Sequence, residues 1–497
     1  MAGQGTEIGY ERLGTKKLTL LDVISQSVGF MGPVFSAAFL IPLIAGFSAS
    51  GKGAGIATPF AVLLAAAGTF ALGWIVAQYA KRVHAAGSLY DYVSGGLGSS
   101  AGGVAGWIYY GGTTVLASAI ACLIGFFMEF VIFTADPAVP GVLSSASPLP
   151  GWAWSLIFVA GVFLIQYLGV QLSTRVQLVL ALVSALAVLA FFVKVILDAP
   201  SNSLKAFNPA EAPDFTGLLF GVLYGVLIFV GFETAANLAE ETAEPKRSIP
   251  KAVLLTVAIA TGFYLIASYA QVAGFGFDIA VLTDPAVAAA PLFALASPTE
   301  VGGYGSTAIL NFIIVVVLLD VLAVGIGAAV ASSRGVFALA RDRRIPGALA
   351  SVSRRGTPVG AIGFVALVSV VMVALAEFAD DLFAITPRQP HFFEMFFWLS
   401  TFGAFAIMVV YGLMSLGAFK GLSDHPNGMG VRIAASAGTA IAVGAVFGAI
   451  YKQVAPLDLV WKAVLAWAVL GLVVTLAVKG REPASRALAD LRSGEGT

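Results

Sequence analysis

The chain is poor in the residues on which most enzyme chemistry depends. Cys122 is the only cysteine, which excludes an intramolecular disulfide framework or a cysteine-rich metal site and gives redox chemistry no foothold. The three histidines, His84, His391 and His425, fall in different loops or span ends. Without a His-x-x-x-His or paired-cysteine spacing, a metal hydrolase has no ligand set, so neither an enzyme nor a cofactor is expected. Charge is also scarce: 11% of the 497 residues are Asp, Glu, Lys or Arg, 27 of each sign, and no net field attracts nucleic acid or an acidic partner. In their place stand hydrophobic residues, 59% of the chain, more apolar surface than a soluble fold of this length could bury. Lipid must be the solvent and partner for much of it, and the 56 glycines suit close helix packing there.

Residues 1–17 are polar, with Arg12, Lys16 and Lys17 directly before the first apolar run. That run is too long for a cleavable signal peptide, so an uncleaved cytoplasmic tail is expected. Apolar runs long enough to cross a hydrocarbon core of roughly 30 Å recur to Val478. They predict an all-α integral membrane protein of twelve spans: Leu18 to Phe47, Ile56 to Ala80, Ala101 to Thr134, Gly151 to Val170, Thr174 to Leu197, Phe215 to Ala239, Ile249 to Phe275, Gly305 to Ser332, Pro358 to Phe378, Phe392 to Ala418, Val431 to Tyr451 and Leu457 to Val478. With the N-terminus inside, only Lys52, Lys194, Lys205, Arg388, Lys452 and Lys462 fall outside, leaving 21 of the 27 basic residues on the cytoplasmic face. Both termini are therefore expected in the cytoplasm, the second as a tail over 479–497.

Two spans are interrupted near their middles, the first at Gly29-Phe30-Met31-Gly32-Pro33 and the sixth at Val230-Gly231-Phe232-Glu233. Proline lacks an N–H and clashes with the preceding turn, and glycine weakens a helix, so backbone groups are released where lipid cannot satisfy them. Something polar must fill those gaps. Paired interruptions in two halves of a chain point to a transporter built on repeats, with substrate bound at the midplane.

At the sixth span, Gly231-Phe232-Glu233 is followed by Glu240-Glu241-Thr242 and Pro245-Lys246-Arg247-Ser248-Ile249-Pro250. This stretch resembles the signature of the amino acid–polyamine–organocation permeases. Gly87-Ser88-Leu89-Tyr90-Asp91-Tyr92 with Gly106-Trp107, and Ser333-Arg334 with Phe337-Ala338-Leu339-Ala340-Arg341-Asp342 and Ile345-Pro346, agree with it. The resemblance covers nearly the whole chain. It implies a LeuT-type fold with broken helices 1 and 6: a first repeat over 18–198, an inverted second repeat over 215–418, and two added helices over 431–478. It also implies secondary active transport by alternating access, with an amino acid or amine held between the broken spans and contributions from spans three, eight and ten. The matching positions are Gly29, Phe30, Met31, Gly32 and Pro33, and Gly231, Phe232, Glu233, Thr234 and Ala235. Many relatives receive a substrate carboxylate on the amides of a Gly-Ser-Gly run, where this chain reads Met31-Gly32-Pro33. Pro33 cannot donate, which leaves Gly32 and Val34 as donors.

Glu233 stands in the sixth-span break, where an ionisable group is costly enough to suggest function. It is expected to pair with a substrate ammonium or carry a coupled proton; the structural alternative is a hydrogen bond that holds the broken helix together. Asp320 lies fourteen residues before Arg334, roughly 21 Å along the helix and near mid-membrane. It is expected to face a hydrated cavity or be protonated, in a substrate or proton role. Phe30, Phe232 and Trp398 suit cation–π contact or a gate. Tyr109, Tyr110 and Thr113 offer hydroxyls, of which Tyr110 is assigned to the pocket. Some relatives replace a sodium ion by a deep fifth-span lysine; here that span is polar only at Ser184 near its centre. No metal ligand set is assigned beyond a possible sodium site at Ser332 and Ser333, so the coupling ion is H+ or Na+. Arg334, Arg341, Arg343, Arg344, Arg354 and Arg355, with Lys246 and Arg247, read as orientation signals touching lipid headgroups. Proton-coupled uptake leads the functional readings, with solute exchange or sodium symport behind it and a channel or substrate sensor outside transport. Oligomeric state is left open.

Overall fold

The computed structural model describes residue 13 and residues 18–47, 51–134, 142–288, 290–384, 390–453 and 455–478. Arg12, Lys16, Lys17, Arg388 and the tail at 479–497 lie outside the described residues. Helix is the only extended regular structure among those described, with three isolated β-bridges beside it. This is the solution lipid imposes, since a helix satisfies its own N–H and C=O groups. Among the described residues, eleven helices are long and apolar enough to cross a membrane. The sixth of the twelve expected spans is shorter because its α-helix, Phe215–Leu227, ends at the interruption. The protein is a multi-pass membrane protein.

Spans one (Leu20–Met31 and Pro33–Phe39), three (Ser99–Phe126), eight (Thr307–Arg341) and ten (His391–Gly421) form the interior, with the sixth packed among them. Spans four (Gly151–Leu168), nine (Val359–Phe378), eleven (Gly428–Ile450) and twelve (Val460–Ala477) lie outside, presenting apolar side chains outward. Spans two (Thr58–Ala80), five (Val170–Asp198) and seven (Pro245–Gly274) flank the broken pair. The eighth helix continues nine residues beyond the expected end at Ser332, because the arginines that suggested a terminus are buried and paired.

The first span starts with a capping box: Thr19 Oγ1 accepts from the Asp22 amide at 3.4 Å, and Asp22 Oδ2 accepts from the Thr19 amide at 2.8 Å. It breaks at Gly32, whose φ of +54° lets one residue end the first helix and start the second, with Pro33 in the first helical position. In the sixth span, Asp214 caps Phe215–Leu227, turns follow, Gly231 takes φ +111°, and a 3₁₀ segment resumes at Thr234–Leu238. Spans three and twelve are clamped by Trp107 and Trp467. Their rings stack at 4.6 Å, and each indole N–H donates to the other's backbone carbonyl, at 3.1 and 3.2 Å.

Candidate functional site

The two breaks meet. A Cβ on Gly231 would lie 2.3 Å from Phe30 Cδ1, and a Cβ on Gly327 of span eight 2.8 Å from the Phe30 backbone, so only residues without a Cβ let these three spans close. Ser27 braces the junction. Its hydroxyl donates to the Phe232 carbonyl and accepts from the Ala235 amide, both at 2.9 Å. Thr234 Oγ1 donates to the Gly231 carbonyl at 2.8 Å, and Ser36 Oγ to the Met31 carbonyl at 3.1 Å. The polar groups freed by the breaks are thus met by the chain's own side chains. Ser27→Ala should cost about 1–3 kcal/mol for the backbone groups it orphans; the thermal midpoint in detergent checks this, and no loss would mean the brace is absent.

Glu233 is fully buried, and donors from three spans surround its carboxyl. Tyr109 of span three donates to Oε1 at 2.5 Å, Tyr411 of span ten donates to Oε2 at 2.5 Å, and the Gly231 amide reaches Oε2 at 3.2 Å. Both carboxyl oxygens are thus hydrogen-bonded. Phe232 packs beside it, its ring centroid 5.5 Å from that of Tyr411. Neither tyrosine was assigned to the pocket from sequence. Tyr411 is the only tyrosine of the tenth span, and that phenol in an otherwise apolar stretch was the available signal.

Asp320 is also fully buried, and it meets the interrupted first span. Its Oδ2 accepts from the Phe35 amide at 2.8 Å, and the Val34 amide is turned to the same carboxyl. The Gly32 N–H closes the first helix on the Val28 carbonyl at 3.1 Å. It is therefore not a spare donor at the break. A Cβ on Gly32 would lie 2.2 Å from Val324 Cγ2 and 3.2 Å from Asp320 Oδ2. Gly32→Ala should therefore cost about 1–3 kcal/mol through positive φ and overpacking. Lower yield of monodisperse protein, partly recovered by adding Val324→Ala, is the expected result.

The other assigned residues are spread more widely. Phe30 and Met31 are buried at the junction, and Gly29 packs against the fifth span, where an added Cβ would lie 2.6 Å from Gln177 Oε1. Gln177 itself is fully buried, with Ser173 and Thr174 nearby on the same span, so the fifth span is more polar within than Ser184 alone suggested. Tyr110 turns away from Glu233: its hydroxyl donates to the Gly87 carbonyl at 2.7 Å and accepts from Asn237 at 2.8 Å. The Thr113 hydroxyl stays on its own helix, at 3.3 Å from the Tyr110 carbonyl. Trp398 packs with Phe383 and Phe402 and has no ring contact with Phe30 or Phe232. Ser333 Oγ donates to Gln166 at 2.9 Å and accepts from Arg334, whereas the buried Ser332 Oγ has no hydrogen-bond partner among the described residues.

Arg334, Arg341 and Arg344 lie inside the protein, contrary to a headgroup role, while Arg343, Arg354 and Arg355 are exposed. Arg334, fully buried, pairs with Glu241 (Nε to Oε2, 3.2 Å) and donates to Gln166 and Ser333. Arg341 pairs with Glu240 at 2.7 Å, and Glu240 also accepts from the Ala86 and Leu13 amides. Leu18 exchanges backbone hydrogen bonds with Glu241 and Ala243. This face of the molecule is thereby tied across the start of span one and the ends of spans two, six and eight. On the opposite face Lys52 and Asp214 pair at 2.8 Å in solvent, which holds the Asp214 carboxyl below its usual range and raises the lysine.

Comparison with known proteins bears on this architecture. The family model described as amino acid permease matches residues 28–452, which include both breaks and the arginine-tied face. The chain belongs to the amino acid permease family. It is 24% identical over 386 residues to the branched-chain amino acid permease BcaP of Bacillus subtilis, covering 74% of this chain and 76% of that one. An uncharacterised transporter of Mycobacterium tuberculosis is 28% identical over 419 residues, 81% of this chain and 80% of its own. The methylthioribose transporter of Bacillus subtilis is 23% identical over 304 residues, 60% of this chain and 63% of its own. Permeases are carriers rather than enzymes.

Proposed function

We propose that this permease is a secondary active transporter that moves an amino acid or a small organic amine across the cell membrane by alternating access, with a proton as the coupling ion. The observation that carries this reading is the junction of two broken spans at buried carboxyls, where backbone and side-chain polarity is concentrated at a depth that lipid would otherwise penalise. Relatives named for branched-chain amino acids and for methylthioribose support a small polar cargo. In this reading residues 18–198 and 215–418 are inverted repeats that rock against each other, and 431–478 adds two helices. The arginine-tied face is cytoplasmic, like both termini, in a plasma membrane whose lipid surrounds the outer spans.

Glu233 is the element that transmits binding. Its carboxyl joins spans three, six and ten, so a proton or substrate group that competes for it loosens all three together. The Glu240–Arg341 and Glu241–Arg334 pairs close the cytoplasmic side and must part for release inward. The unpartnered Ser332 hydroxyl is the observation that favours sodium as an alternative coupling ion, and solute exchange uses the same cycle without an ion.

The test is uptake of labelled amino acids and amines by the purified protein in liposomes. Saturable uptake driven by an alkaline interior and abolished by a protonophore is expected. Dependence on a sodium gradient or on preloaded solute would replace the proton. Flux without saturation would mean a channel, and binding without flux a sensor.

A further inference from the structure

Asp320 has one oxygen in use and one open. Oδ2 is seated on the first-span break at the Phe35 amide, while Oδ1 has no hydrogen-bond partner among the described residues, although the side chain is fully buried. A buried carboxyl oxygen in this condition calls for a donor. No Lys, Arg or His among the described residues forms an ion pair with it. The buried guanidinium groups are engaged at the other end of span eight, with Arg334 fourteen residues further along the helix. The Tyr264 hydroxyl of span seven interacts electrostatically with Asp320 and likewise has no hydrogen-bond partner among the described residues. Its ring meets Phe229 edge-on at 5.2 Å.

The same seating removes the anion-binding capacity of the break. Pro33 has no N–H, Gly32 donates to Val28, Phe35 donates to Asp320, and the Val34 amide faces that carboxyl. Glu233 adds a second acid where the two breaks meet. A free carboxylate arriving there finds acids and no base, whereas an ammonium finds an open oxygen.

We propose that Asp320 sets the charge of the cargo: its open oxygen, with the Tyr264 hydroxyl, receives the ammonium of a cationic amine, and its seated oxygen excludes solutes bearing a free α-carboxylate. This deepens the transport reading and rests on it.

Matched pairs test it on the purified full chain by calorimetry: leucine against 3-methylbutylamine and leucine methyl ester, and valine against isobutylamine. The amines and the ester, which lack the carboxylate charge, should bind at least about tenfold tighter than the parent amino acids. Asp320→Asn should remove about tenfold of that preference, and Tyr264→Phe a smaller part. Amino acids bound as tightly as their amines would overturn the proposal, as would an unchanged preference in folded Asp320→Asn. Should that variant fail to fold, the wild-type pairs decide. Stabilisation by sodium alone, against a choline control and with no response to amines, would overturn it in favour of a metal cation. Uptake of leucine with amines excluded leaves the transport reading standing and defeats this one; neither class bound or moved defeats both.

Discussion

Replacing Arg334 by Met is expected to destabilise the protein by about 3–5 kcal/mol, because Glu241 is then left buried without its counter-charge. The guanidinium and the carboxylate are 0% and 3% exposed, and the guanidinium also spans Gln166 and Ser333. Removing both charges has a different outcome. Arg334→Met with Glu241→Leu should recover much of the stability, since desolvation of the pair offsets most of its attraction. The face the pair closes would still have lost a connection between spans six and eight. Thermal unfolding in detergent reports the first effect, and uptake in liposomes reports the second. A single variant as stable as the parent would show that the pair does not form.

Glu233→Gln is expected to abolish transport, with uptake falling at least about a hundredfold while the protein stays inserted and monodisperse. A glutamine keeps the size of the side chain but places an NH2 against one of two tyrosine hydroxyls or the Gly231 amide, all of which point donors at it. One oxygen cannot satisfy all three, and the link among spans three, six and ten is weakened without a cavity. The stability cost should be about 1–3 kcal/mol, smaller than for Arg334, because tyrosine hydroxyls can rotate to accept. Uptake at the parental rate by Glu233→Gln would remove the residue from the mechanism.

The architecture was legible in the sequence to a large extent. Long apolar runs report membrane crossing by length alone, and the Gly32-Pro33 and Gly231 interruptions stand out because each violates helix chemistry locally. The acids at 233 and 320 are equally conspicuous for their depth. What filled the breaks was not legible. Tyr411 reaches Glu233 across 178 positions, and Asp320 reaches Phe35 across 285. The arginines after span eight carried the composition of a lipid-facing loop, yet three of the six are buried: Glu241 and Glu240 come from another span to meet Arg334 and Arg341, and Arg344 donates to Ser99.

By itself, then, the sequence determined the solvent, the helical class, the places where two helices fail and the family. The first three follow from hydropathy and backbone chemistry within a few neighbouring residues, and the family from the resemblance of its motifs. The tertiary structure alone decided the partners: which tyrosine of the adjacent pair at 109 and 110 faces Glu233, that Asp320 takes the Phe35 amide at the first-span break, and that the basic cluster ties one face together. The physical reason is that spans apolar nearly all round carry no stripe to orient them, so the polar side chains find their partners only when the helices pack.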